Sequence, residues 1–193
     1  MIDSLSIIIR ALGFVAMFQA AGMAMFLALF HRRLGTLTAS SIRGRAIAAT
    51  MAGAGLVSVH FALEPARMGG ALASVRDPFL RDLVLHSPPG AAYLWRLCGL
   101  VLLLVGLLRG APAGRSAALV GVAVMLLAFT QVGHTSVFTP RPVLALLVLL
   151  HIGIVAFWFG ALLPLYLIAQ HETRVNAEVL GPLVAALERY ARD

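Results

Sequence analysis

The sequence predicts an all-α fold: an integral membrane helical bundle of about five transmembrane helices, closed by a C-terminal amphipathic helix. Three observations predict it. Of 193 residues, 61% are hydrophobic and 12% charged, against about 45–50% apolar and about 25% charged in an ordinary soluble domain. Mean hydropathy is +0.95, and the apolar residues gather into runs close to the roughly 20 residues that a bilayer core requires. The fifteen basic residues are all Arg, and they cluster in short segments beside those runs. That clustering makes the formal charge of +7 a positive-inside topology signal and argues against a nucleic-acid partner.

The first span covers residues 5–30. It is preceded by Asp3 rather than a basic segment, and it exceeds the about 7–15 apolar residues of a signal peptide, so it reads as an uncleaved helix. A basic loop, 31–45, carries Arg32, Arg33, Arg43 and Arg45 without an acid. The second span, 46–63, is rich in Gly53, Ala54, Gly55 and Ser58, small residues that allow close helix packing. Glu64-Pro65 ends it. The polar connection 66–90 holds a short interfacial helix at 79–85 and the breaker Ser87-Pro-Pro-Gly90. The third span is 91–108, the fourth 116–138 and the fifth 143–170. In the tail, 172–193, Val179, Leu180, Leu183, Val184, Leu187 and Tyr190 recur at helical spacing. The whole chain, 1–193, forms one transmembrane domain.

Arginine placement sets the orientation. Arg32, Arg33, Arg43, Arg45, Arg109, Arg115 and Arg174 fall on one side; Arg67, Arg76, Arg81 and Arg141, diluted by Glu64, Asp77 and Asp82, fall on the other. Lipid is the surrounding partner, with the N-terminus outside and the C-terminus inside. Cys98 is alone, so no internal disulfide forms.

Ionisable side chains inside a bilayer are costly and mark function by default. His60, His134 and His151 fall in the outer halves of spans two, four and five. About a turn Thr139-Pro-Arg-Pro142, His134 lies roughly 7 Å and His151 roughly 13 Å into adjacent antiparallel helices. Gln131, His134 and Thr135 are expected to share a face of span four, and His60 and Glu64 stand i, i+4 on span two. Imidazoles converging from separate helices suit a transition metal such as copper; haem b, held through the same histidines as axial ligands, is the alternative reading. Met17 and Met68 add soft thioethers near that layer, although methionine in an apolar helix also serves as packing. Arg96, one to two turns into span three, is expected either to pair with Glu64 or to snorkel toward the interface.

Val132-Gly-His-Thr135, followed by Leu150-His-Ile-Gly-Ile-Val-Ala-Phe-Trp-Phe-Gly-Ala-Leu-Leu-Pro164, resembles the signature region of the CopD/PcoD family of inner-membrane copper resistance proteins. Arg10-Ala-Leu-Gly-Phe14 and Tyr93-Leu-Trp-Arg96 extend the likeness more loosely. The resemblance implies copper handling at the periplasmic face without enzymatic turnover, alongside a CopC-type periplasmic copper carrier. It carries His134 and His151 over as metal ligands. Some members have a histidine where this chain reads Gly13-Phe14, which leaves His60, Met17 or Met68 to complete the set. Members commonly have more spans, and residues 188–193 resemble the lead-in to a further family helix.

Overall fold

A computed structural model describes residues 2–110, 112–132 and 139–175, with side chains through residue 170. Helix α1 (Ile2–Phe30) is 29 residues long, roughly 43 Å at 1.5 Å per residue, and so outreaches a hydrocarbon core of about 30 Å. Helix α2 (Thr36–Gly69) extends past the expected span at both ends. Its first turns absorb most of the anticipated basic loop. Ile42 and Ala46, one turn apart, are wholly buried, while Arg45 reaches back to the Ser41 carbonyl, so that stretch is amphipathic and helical. At the other end the helix continues through Pro65. Pro65 and Ala66 are buried there, and Gly70, at φ +73°, provides the left-handed stop.

A 3-10 turn (Leu72–Arg76) leads to the short helix α3 (Pro78–Leu85), as the interfacial segment predicted. Asp77 caps it, its carboxylate accepting from the Phe79 and Leu80 amides at 2.9 and 3.4 Å, with Pro78 in the first turn. Ser87 likewise caps α4 (Pro88–Arg109) by accepting from the Gly90 amide at 3.3 Å. Helix α5 (Pro112–Leu127) is shorter than expected. It tightens into a 3-10 turn over Ala128–Thr130, and the chain bends at Gln131. The Thr130 hydroxyl donates to the Leu127 carbonyl at 2.8 Å, an alternative to continuing the backbone ladder. Gln131 is therefore on no helical face, and His134 and Thr135 lie outside the described residues. Helix α6 (Arg141–Val175) forms the last span. It takes in the first residues of the anticipated amphipathic tail; the remainder of that tail lies outside the described residues.

Five of these helices are long and apolar enough to cross a membrane, in agreement with the all-α bundle. α1 lies centrally, packed along α2 on one side and α6 on the other; α4 and α5 form a hairpin that docks through α4 on α2. Met17, Met23, Ile42, Leu100, Leu103 and Met125 are fully buried between them. The outside is equally apolar: Leu150, Ile154, Trp158 and Leu162 form an exposed stripe along α6, as a lipid-facing surface should.

Small residues make the tightest contacts. Gly22 of α1 meets Gly160 and the Ala156 carbonyl of α6, where a Cβ on either glycine would overlap backbone. In the α4–α5 hairpin, Gly99 faces Gly121 and Gly106 faces Gly114, two glycines seven residues apart on each helix. Between apolar helices in lipid, such close backbone approach supplies the packing. Gly160→Val should lower the unfolding free energy by about 1–3 kcal/mol, the usual cost of overpacking. The midpoint of unfolding in a graded denaturing-detergent titration measures it, and an unchanged midpoint would show that α6 yields freely.

Candidate functional site at the polar end of the bundle

The first turns of α1 and the last turns of α2 carry complementary polar stripes. Asp3, Ser6, Arg10, Gly13 and Met17 recur at alternating steps of three and four on α1; Gly53, Val57, His60, Glu64 and Arg67 do so on α2. Antiparallel packing sets the stripes face to face. Gly13 lies against Val57, and Met17 against Gly53.

The polar members join into a continuous string. The Ser6 hydroxyl, buried on α1, is 3.0 Å from Nδ1 of His60. Nε2 of His60 is 3.3 Å from Oε1 of Glu64. Arg67 donates from one terminal nitrogen to both Glu64 oxygens, at 2.8 and 3.1 Å, and through Nε to Asp3 at 3.1 Å. The neutral His60 tautomer that satisfies both contacts carries its proton on Nε2, toward the carboxylate, and accepts from Ser6 at Nδ1.

Beside the string lies a cavity of about 290 Å³, walled by α1, α2, α4 and Val132. His60, Glu64, Arg67, Arg10, Arg96 and Tyr93 give it polar groups. Phe14 and Phe61 supply apolar walls, and Tyr93 stacks on Phe61 with ring centroids 4.0 Å apart. Arg96 does not pair with Glu64 as anticipated, because Arg67, three residues from Glu64 on the same helix, takes both carboxylate oxygens. The Arg96 guanidinium lies instead over the rings of Phe14 and Phe129, 5.4 and 5.1 Å from their centroids. Its Nε is buried with no hydrogen-bond partner among the described residues.

The five anticipated metal ligands fare differently. His60 lines the cavity. Val132, two residues before His134, is part of its wall, while His134 itself lies outside the described residues. His151 is exposed on α6 and does not line the cavity. Counting back along both helices from the Gly22–Gly160 contact places it near the level of Gly13. Met17 is fully buried against Gly53, one turn below Gly13; Met68 is 54% exposed, next to Arg67. Among the described residues, no group of three or more His, Cys, Asp or Glu side chains is placed to hold a metal. Cys98 is exposed and outside the cavity wall.

Sequence reasoning missed Asp3, Ser6, Arg10 and Tyr93 as parts of this site. For the first three the signal was available: polar residues at three- and four-residue steps in an otherwise apolar helix mark one buried face. Tyr93 carries no such mark.

The model of one protein family, described as "Copper resistance protein D-like, N-terminal domain", matches residues 1–140. No curated protein and no solved structure matches the chain. The matched stretch includes every residue that lines the cavity and ends before α6, so His151 falls beyond it. With most of its length so matched, the chain belongs to the copper resistance protein D-like family and is a multi-pass membrane protein of copper resistance.

Proposed function

We propose that this protein binds copper in the extracytoplasmic half of the bundle and passes it across or along the inner membrane, with His60 and His134 as ligands and His151, exposed on α6 outside the cavity, as a station on the path rather than a ligand in it. One observation carries the reading: within a copper resistance family chain, His60 and Val132, the first residue of the Val132-Gly-His-Thr135 motif, line one cavity. Copper enters by displacing the Ser6 hydroxyl from Nδ1, the ring atom of His60 with the available lone pair. Glu64, accepting from Nε2–H, then holds the ring in place, as second-shell carboxylates do for metal-bound histidines. Met17, fully buried against Gly53, and Met68, exposed next to Arg67, do not line the cavity, but their soft thioethers flank the path and suit Cu(I). No bond is made or broken, so the role is non-enzymatic. A periplasmic carrier of the CopC type would exchange the ion at the open end.

The test is copper content of the purified chain by elemental analysis, with the affinity measured by competition against a chelator. His60→Gln and His134→Gln should each weaken copper binding at least about 10-fold; wild-type stoichiometry and affinity in both variants would overturn the assignment. Ser6→Ala should tighten binding about two- to tenfold, because the competing hydrogen bond contributes about 0.5–1.5 kcal/mol. Unchanged or weaker binding in Ser6→Ala would show that Nδ1 is not the donor. For orientation, single cysteines are placed at Arg76 or Thr36 in a Cys98→Ser background. A membrane-impermeant maleimide on intact cells should label the first and spare the second; the reverse pattern would invert the topology.

A further inference from the structure

The cavity holds more positive charge than its partners can neutralise. Arg67 is tied to Glu64 and Asp3, which leaves Arg10 and Arg96 facing the same space with no carboxylate partner among the described residues. Arg96 lies eight residues into α4, roughly 12 Å along the axis from its start. There its Nε is buried without a partner among the described residues, and its guanidinium carbon lies 5.4 and 5.1 Å from the ring centroids of Phe14 and Phe129. A guanidinium carries its donors in a planar fork that matches an oxyanion bidentately. At about 30 Å³ per water, a space of about 290 Å³ admits such a group with part of its hydration.

We infer that this cavity is a binding site for a single oxyanion of the phosphate class, held between Arg96 and Arg10. Among the described residues, three arginines against two carboxylates, Glu64 and Asp3, leave a surplus of one positive charge. A singly charged group, such as a phosphodiester or dihydrogen phosphate, balances it. Arg96 is the bidentate anchor within the bundle, and Arg10, exposed on α1, closes over the ligand from the open side. The aromatic walls lower the local dielectric and strengthen both contacts. A phospholipid headgroup and free phosphate present the same chemistry, and the inference does not require copper.

The test uses the full 193-residue chain, copper-free, in an uncharged detergent. In one arm, thermal unfolding is followed as inorganic phosphate is added, with chloride at matched ionic strength as the control. In the other, the chain is extracted from phosphatidylglycerol-containing vesicles and retained lipid is counted by native mass spectrometry. Specific stabilisation by phosphate identifies a free anion as ligand; one retained phosphatidylglycerol per chain identifies a headgroup. In either case Arg96→Gln and Arg10→Gln should weaken binding at least about tenfold, a loss of about 1.4 kcal/mol. Arg96→Lys should restore only part of the affinity, because it keeps the charge and loses the fork. Binding in neither arm, or wild-type affinity in both glutamine variants, would overturn the inference.

Discussion

Lipid offers no hydrogen bonds, so each polar group that enters the bundle must find its partner on another part of the protein. The string Asp3–Arg67–Glu64–His60–Ser6 is that constraint made visible. An isolated charge at mid-bilayer costs about 2.5–3.5 kcal/mol on insertion scales. The exposed Asp3–Arg67 end contributes little, but removing a member at the part-buried His60–Ser6 end strands its partner. The string also fixes register. Sliding α1 past α2 by one turn, about 5.4 Å, would separate Ser6 from His60 and Asp3 from Arg67 together. Apolar contact between helices tolerates such a slip, since the lipid tails are as apolar as the side chains. The polar contacts do not.

Away from that end, the helices hold one another through small residues. Gly22 with Gly160, Gly99 with Gly121 and Gly106 with Gly114 bring backbones into contact. At the polar end the side chains between helices are long or aromatic: Arg10, Arg96, Phe61 and Tyr93. A bundle cinched by glycine in one part and propped by arginine and aromatic rings in another opens toward the propped part. The cavity follows from the sequence in this plain steric sense.

The five spans were legible because hydropathy and length leave few choices for 20-residue apolar runs. Their ends were not. Hydropathy stops where arginine begins, yet the helix does not: Arg43 and Arg45 ride on the first turns of α2, whose other face buries Ile42 and Ala46. Pro65 read as a terminator and became a buried member of a continuing helix, because tertiary contacts at Ala66 and Arg67 outweigh one lost backbone bond. Span four erred the other way, since hydropathy cannot see Thr130 turning its hydroxyl onto the backbone. Within the site, the His60–Glu64 pairing was legible from i, i+4 spacing. The Arg96 environment was not, because depth along a helix says nothing about which rings stand beside it.

The positive surplus bears on how a cation could use this cavity. Two unit charges about 8 Å apart repel by about 2 kcal/mol at an effective dielectric of 20. On the proposed reading, copper arriving at His60 would meet Arg10 and Arg96 across the same space, and Glu64, already committed to Arg67 and His60, would offset only part of that field. An oxyanion bound as inferred on Arg96 would cancel the surplus and leave the pocket nearly neutral. Coupling of this kind is reciprocal: an anion that favours copper is itself held more tightly when copper is present. On that reading, an apparently unfavourable arginine in a copper resistance family chain would have a physical role, as one half of a charge pair whose other half is exchangeable.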